Sequence, residues 1–351
     1  MTVRLLYGDC RAVLPTIESD SVQCCVTSPP YYGLRDYGVA GQIGLEQTPD
    51  AYVAEMVAVF REVRRVLRDD GVLWLNLGDT YNSIGHKKSG SGYGSTGLAG
   101  GKAQEHTILH RENTDPNLKH KDLMMIPARA ALALQADGWW LRSDIIWAKP
   151  NPMPESVRDR PTSAHEHVFL LSKSARYFYD ADAIREPMAA ASIDRLAQDI
   201  DGQAGSARAN GGGKTNGPMK AVAKGNAKTF RGGGAYTEGR SFDNSAAIAR
   251  DSTGNTPNLT GDRNARNVWT IATQPFSGAH FATMPPELAE RCIKAGSRPG
   301  DTILDPFGGA GTTGLVADRL GRNALLIELN ADYGVLATER IRGDAPLLGA
   351  I

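Results

Sequence analysis

The chain has 351 residues, of which 41% are apolar and 22% charged, enough to bury one large core and carry an insertion. Thirty-nine basic residues balance 39 acidic ones, so no global field attracts a polyanion and any phosphate-binding surface must be local. The opening MTVRLLYGDC lacks the layout of a secretion signal, no apolar run reaches membrane-span length, and Cys10, Cys24, Cys25 and Cys292 show no CxxC spacing, which fits reduced thiols better than a zinc site or a disulfide frame; a cytoplasmic protein without a metal is expected.

The first clear element is Val22 to Thr27, VQCCVT, which reads as a buried strand with its cysteines as core packing. It runs straight into Ser28-Pro29-Pro30-Tyr31-Tyr32. Two prolines fix φ and stiffen the loop at the carboxyl end of a strand, where open α/β sheets place ligands. The hydroxyl of Ser28 and the carbonyl of Pro29 can both accept hydrogen bonds from one NH2 group. An exocyclic amino nitrogen of a nucleobase is a poor nucleophile because its lone pair is delocalised into the ring; two acceptors out of the ring plane localise that lone pair for in-line methyl transfer. Tyr31 would stack on a base drawn out of the duplex. For Pro-Pro-Tyr alone, a rigid surface turn is the competing reading.

Apolar residues at three- and four-residue spacing (Val53, Met56, Val57, Phe60, Val63, Leu67) predict an amphipathic helix over Asp50 to Arg68. Asp69-Asp70-Gly71 stops it and Val72 to Leu77 is the next strand. A Gly/Ser-rich loop over Ser83 to Gly101 follows, then a helix near Leu123 to Asp137 and apolar runs at Leu141 to Trp147 and His167 to Leu171. Strand and helix in alternation imply a mainly parallel sheet covered on both faces. His165 and His167 lack the HExxH spacing of a zinc site.

Composition changes from about Met188 to Arg266. Between Asp201 and Pro275 there are 13 glycines, and ten basic residues face five acidic ones, with poor apolar periodicity. This is a flexible insertion or a binding region. From Trp269 the alternation returns: helix Pro286 to Ala295, strand from Thr302 to Leu304, helix Gly311 to Leu320, strand Ala324 to Glu328 and helix Ala331 to Arg342. The insert thus divides one α/β domain.

In Thr302 to Gly314, TILDPFGGAGTTG, Gly309, Gly311 and Gly314 meet the GxGxxG spacing between a strand and a helix, and Glu328 closes the next strand. Such a turn lets backbone approach a nucleotide-like ligand while a carboxylate takes its ribose hydroxyls. Asp305 at the strand tip suits the ammonium of S-adenosyl-L-methionine and would repel a pyrophosphate. A structural αβ turn is the alternative, and a nicotinamide-dependent oxidoreductase built on these glycines would leave Ser28 to Tyr31 without a purpose.

With both segments in hand, the chain resembles the β group of amino-directed (N4-cytosine or N6-adenine) DNA methyltransferases, in which the target-amino loop, here Ser28, Pro29, Pro30 and Tyr31, precedes the cofactor loop, here Asp305 to Thr313. Glutamine- and ribosomal-RNA-directed relatives usually carry the cofactor loop first. The resemblance implies an α/β, Rossmann-like seven-stranded methyltransferase fold, circularly permuted, with one reversed strand. Residues 1–187 would be the catalytic half, 188–266 the target recognition insert and 267–351 the cofactor half. The implied S-adenosyl-L-methionine site comprises Asp9, His280, Asp305, Phe307, Gly309, Gly311, Thr312, Thr313 and Glu328, with Asp9 from the early Gly8-Asp9-Cys10 segment near the adenine and the segment His280 to Pro285 enclosing the methionine part. Trp147 to Pro150 and His165 to His167 also resemble family sequence near the cleft, without assigned roles.

The implied partner is double-stranded DNA, with Arg208, Lys214, Lys224, Lys228, Arg231 and Arg240 as candidate phosphate contacts; a cognate restriction endonuclease and a homodimer are left open. Within the family it resembles, Ser before Pro-Pro-Tyr is more frequent in enzymes acting on cytosine N4, so the resemblance implies cytosine N4, with adenine N6 as the alternative. Cytosine C5 chemistry needs a thiolate attacking the ring, and no Pro-Cys pair occurs. A DNA-binding module that has lost catalysis is the remaining alternative.

Overall fold

The computed structural model describes residues 2–34, 36–82, 117–190, 262–274 and 283–344. The chain divides into a larger unit of Met1–Ile184 with Arg266–Ile351, and a smaller one of Arg185–Ala265.

In chain order the larger unit begins with β1 (Val3–Tyr7), the short helix α1 (Cys10–Val13), β2 (Val22–Thr27), α2 (Pro49–Val66) and β3 (Leu67–Leu77), followed by α3 (Ile126–Ala136), β4 (Trp140–Ala148) and β5 (His165–Ser172). The smaller unit contributes β6 (Glu186–Pro187) and β7 (Asp262–Arg263), an antiparallel pair. The larger unit resumes with β8 (Val268–Thr270), α4 (Pro286–Gly296), β9 (Thr302–Asp305), α5 (Thr312–Arg319), β10 (Asn323–Glu328) and α6 (Ala331–Asp344).

Eight strands form one sheet in the order β1-β10-β9-β2-β3-β5-β4-β8. All run parallel except β5, which is antiparallel to both neighbours. The expected Rossmann-like sheet with one reversed strand is present; the eighth strand is β8, three residues at the edge, too short for periodicity to announce. Also unannounced were β1, whose VRLLY mixes charge with apolar residues, and α1. The helix expected to reach Arg68 ends at Val66, and β3 starts at Leu67 and carries Asp69-Asp70-Gly71 inside it, where the register with β2 shifts.

The central strands are buried on both faces, as parallel sheets require: all six residues of β2 are buried, as are Val72 to Leu77 of β3. Helix α2 starts at a Thr48 cap that accepts from Ala51 N and has Pro49 in its first turn. It lays Tyr52, Met56, Val59, Phe60 and Val63 against this sheet. Full burial of one such side chain stabilises by about 1.5–3 kcal/mol, so this face anchors the helix.

Chain order fixes where a ligand can sit. From β9 the chain crosses by α5 to β10 on one side, and from neighbouring β2 it crosses by α2 to β3 on the other. The carboxyl ends of β2 and β9 therefore border the crevice opened where strand order reverses.

Candidate active site

Both singled-out corners face that crevice. Ser28, Pro29, Pro30 and Tyr31 leave β2; Asp305, Pro306, Phe307, Gly308 and Gly309 leave β9; all line one cavity of about 730 Å³. Asp9, Asn76, Lys149, Glu166, Thr312, Thr313 and Glu328 line it too.

A buried carboxylate ties the corners together. Asp305 Oδ1 accepts from Thr27 Oγ1 at 2.7 Å and from Phe307 N at 3.1 Å, while Oδ2 accepts from Thr313 Oγ1 at 2.7 Å. Its side chain is thus engaged by three protein donors as well as lining the cavity. Burial pushes its carboxyl above the usual range, against the pull of these hydrogen bonds. Glu328, at the tip of β10, accepts from Gly309 N at 2.7 Å and Asn330 N at 2.8 Å. Burial raises it as well, and the nearby charge of Asp305 adds to the rise. Two partly desolvated acids in one cavity suit a ligand that brings positive charge and oppose a pyrophosphate.

Asp9 caps α1 and its carboxylate is clamped by Arg11, which holds it below the usual range. Thr312 accepts from Arg340 at 2.9 Å, and Phe307 packs on the core while lining the cavity. Gly311 has a packing role beside the expected cofactor contact. It caps α5 at φ 73°, and a Cβ there would sit 2.8 Å from Ala337 Cβ of α6, so its smallness serves helix packing. His280 lies outside the described residues, as do the six candidate basic residues of the insert and the Ser83 to Gly101 loop.

At the proline corner, a polar chain unrecognised from sequence starts at Ser28. Ser28 Oγ donates to Tyr31 Oη at 3.2 Å, and Tyr31 Oη donates to Glu166 Oε2 at 2.6 Å. Glu166 Oε1 forms a short ion pair with Lys149 Nζ, which also lies 4.6 Å from the centre of the Trp147 ring. Asn76 Nδ2 donates to Tyr31 Oη and to Glu166 Oε2, each at 2.9 Å. Burial lifts the Tyr31 hydroxyl well above the usual phenol range, and Glu166 adds to it, so Tyr31 stays protonated. The Tyr31 ring packs on Gly78, where a Cβ would lie 2.6 Å from Cε2. Pro30 is pinned from behind, its carbonyl accepting from Tyr52 Oη at 2.9 Å.

The reversed strand explains how Glu166 arrives. Because β5 runs against its neighbours, it begins where they end, and its register sets Trp147 opposite Glu166 and Asn76 opposite Val168. One signal for Asn76 was available: a lone polar residue within the apolar run VLWLNL. For Glu166 the resemblance marked only its stretch, His165 to His167, as near the cleft; its role depends on that register. Among the described residues no cluster of His, Cys, Asp and Glu could hold a metal, and no helix is long and apolar enough to cross a membrane.

A family model described as DNA methylase, of the N6/N4 type, matches residues 22–339. The chain is 40% identical over 338 residues to the Type II methyltransferase M.SmaI of Serratia marcescens, covering 96% of this chain and 90% of that protein. It is 42% identical over 339 residues to the Type II methyltransferase M.XycI of Xanthomonas campestris pv. cyanopsidis, covering 97% and 87%. Among solved structures, the cytosine-N4-specific PvuII DNA methyltransferase superposes with TM-score 0.55 at 16% identity, covering 99% of this chain and 92% of that one. A putative DNA modification methylase of Thermus thermophilus, TTHA0409, complexed with S-adenosyl-L-methionine, does so with TM-score 0.54 at 22% identity, covering 99% and 96%.

Proposed function

The chain belongs to the N6/N4 DNA methylase family, and from that premise we propose that its cavity holds S-adenosyl-L-methionine beside a flipped base of double-stranded DNA and methylates the exocyclic amino group, with cytosine N4 as the target. The observation that carries this reading is the meeting of the Ser28 corner and the Asp305 corner on one cavity at the point where strand order reverses.

The donor set fits a cationic, phosphate-free cofactor. Asp305 and Glu328 are acids raised by burial, and a sulfonium and an ammonium relieve that burden. Glu328, at the tip of β10, suits the ribose hydroxyls, and Phe307 offers an apolar surface to the adenine. When bound, the cofactor would supply an electrophilic methyl group to the amino nitrogen, leaving as the neutral thioether, and the methylated nitrogen would then lose one of its two protons to solvent.

The chain's own residues then prepare the nucleophile. Ser28 Oγ, its hydrogen already given to Tyr31 and one lone pair facing Asn76 Nδ2 at 3.4 Å, offers its other lone pair to the target amine, and the Pro29 carbonyl is the second acceptor. These acceptors draw the amino hydrogens out of the ring plane and free the nitrogen lone pair, with no covalent enzyme intermediate. A route through a cysteine adduct has no support at Cys10, the cysteine on the cavity wall, since burial pushes its thiol up to about 12. The target-recognition role belongs to the basic insert at 188–266, which offers phosphate contacts. A cognate endonuclease of matching specificity is part of this proposal, since the similar proteins are Type II methyltransferases.

Incubation with tritium-labelled S-adenosyl-L-methionine and unmodified genomic DNA, followed by nucleoside mass spectrometry, tests the reading. N4-methyldeoxycytidine is the expected product. N6-methyldeoxyadenosine would move the target to adenine, and 5-methyldeoxycytidine would overturn the mechanism.

A further inference from the structure

The proposed function needs Ser28 to accept hydrogen bonds, yet a serine hydroxyl can equally turn its hydrogen toward the cavity. What sets its direction is visible further along the chain. A carboxylate accepts and cannot donate, so Glu166 Oε2 at 2.6 Å from Tyr31 Oη obliges Tyr31 to donate to it. With its one hydrogen committed, Tyr31 Oη must receive from Ser28 at 3.2 Å and from Asn76 Nδ2 at 2.9 Å. Asn76 presents its NH2 end to the same carboxylate, in agreement with that polarity. Glu166 and Lys149 are only 14% and 18% exposed, so the charge pair that anchors the chain is shielded from water.

We propose that Glu166, paired with Lys149, is a positioning residue that acts through Tyr31 to hold the Ser28 hydroxyl with a lone pair, the one not facing Asn76 Nδ2, turned toward the target amine. The inference rests on the proposed function and adds residues to which the sequence assigned no role. Glu166→Gln discriminates it. Glutamine has the same size but can turn an NH2 toward Tyr31 Oη, which then donates back to Ser28 and turns the serine hydrogen into the cavity.

Single-turnover methyl transfer is measured with saturating labelled S-adenosyl-L-methionine and unmodified DNA for the full-length wild type, Glu166→Gln, Tyr31→Phe and the double variant. Cofactor Kd and melting temperature are recorded for each. Glu166→Gln is expected to slow transfer by roughly 10²-fold, the scale of one lost preorganised hydrogen-bonding group, with cofactor Kd within about twofold of wild type. Tyr31→Phe cuts the chain, so adding Glu166→Gln to it should cost little more. Transfer by Glu166→Gln within twofold of wild type, multiplication of the two losses in the double variant, or a loss matched by failure to fold would each overturn the positioning role. A wild type that transfers no methyl to amino groups of DNA would instead remove the proposed function, and this inference with it.

Discussion

Asp305 shows at single-residue scale how burial, hydrogen bonding and ligand charge oppose one another. Three protein donors favour its ionised form, yet desolvation dominates and leaves the carboxyl raised. A carboxyl whose native pKa lies above its unfolded value binds protons more tightly when folded, so its contribution to stability falls as pH rises from the unfolded carboxylate range through the raised native value. Asn fits the same site: its oxygen can accept from Thr27 and Phe307, and its NH2 can donate to Thr313, whose hydroxyl already reaches Val26 O at 3.3 Å. Asp305→Asn should therefore match or exceed the wild-type melting temperature at neutral pH without cofactor. The difference should shrink as pH is lowered toward the unfolded carboxylate range, which differential scanning fluorimetry across pH will show. Calorimetry should find cofactor binding weakened by about tenfold or more, since a charge-assisted contact is lost. Ser28→Ala should behave in the opposite sense, cutting the methyl-transfer rate while leaving cofactor Kd near wild type. Ser28, Tyr31 and Asp305 were legible as candidates from the sequence because they stand at or just past the carboxyl end of a strand that the sequence pattern predicts. Thr27 and Asn76 lie inside buried strands; the apolar run around Asn76 marks it as unusual, but the partner of either side chain is set by its neighbours in the sheet.

Among the elements, the glycines around α5 separate two uses of the same residue. The literal GxGxxG spacing suggested close approach to a ligand, and of its glycines Gly309 lines the cavity. Gly309 sits at φ 50° and donates its amide to Glu328, shaping the cavity wall. Gly311 and Gly314 instead let α5 approach its surroundings: a Cβ on Gly314 would lie 2.7 Å from Leu326 Cδ1 and 3.2 Å from Ile341 Cδ1. Gly311→Ala meets both a positive φ and the Ala337 methyl, whereas Gly300→Ala meets a positive φ of 87° with no atom within 4 Å. The first should cost about 1–3 kcal/mol through overpacking beyond the backbone term, the second only about 1 kcal/mol of backbone strain. Urea unfolding of the two variants checks the order. At the other corner, Gly78→Ala should leave the fold standing but displace the Tyr31 ring and with it the Ser28 hydroxyl, so methyl transfer falls while cofactor affinity holds. Periodicity located most of these elements because α2, β2 and β10 are regular and apolar. It missed β1 and β8, which belong to the sheet through pairing with β10 and β4 rather than through any pattern of their own.

Over the whole molecule, a neutral chain that acts on DNA has a cavity walled with acids, and the proposed reading divides the two tasks along the sequence. In that reading the basic surplus between Asp201 and Pro275 supplies the phosphate contacts, and the sheet of the larger unit carries the chemistry. Pairing at the insert's base makes this division testable. Pro187 of β6 sits opposite Asp262 of β7 in an antiparallel pair, so the chain leaves and returns at neighbouring positions, within about 6 Å between Cα atoms. Residues 188–261 can therefore be replaced by Asn-Gly, the two-residue turn that suits such a pair. If recognition resides in the insert and cofactor binding in the sheet, the shortened chain should melt near the wild-type temperature and bind S-adenosyl-L-methionine with a Kd within a few fold. It should no longer retain DNA in gel shift at low salt and should transfer no methyl to it. Full DNA binding by the shortened chain would place recognition on the larger unit, and loss of cofactor binding would mean that the insert completes the cavity.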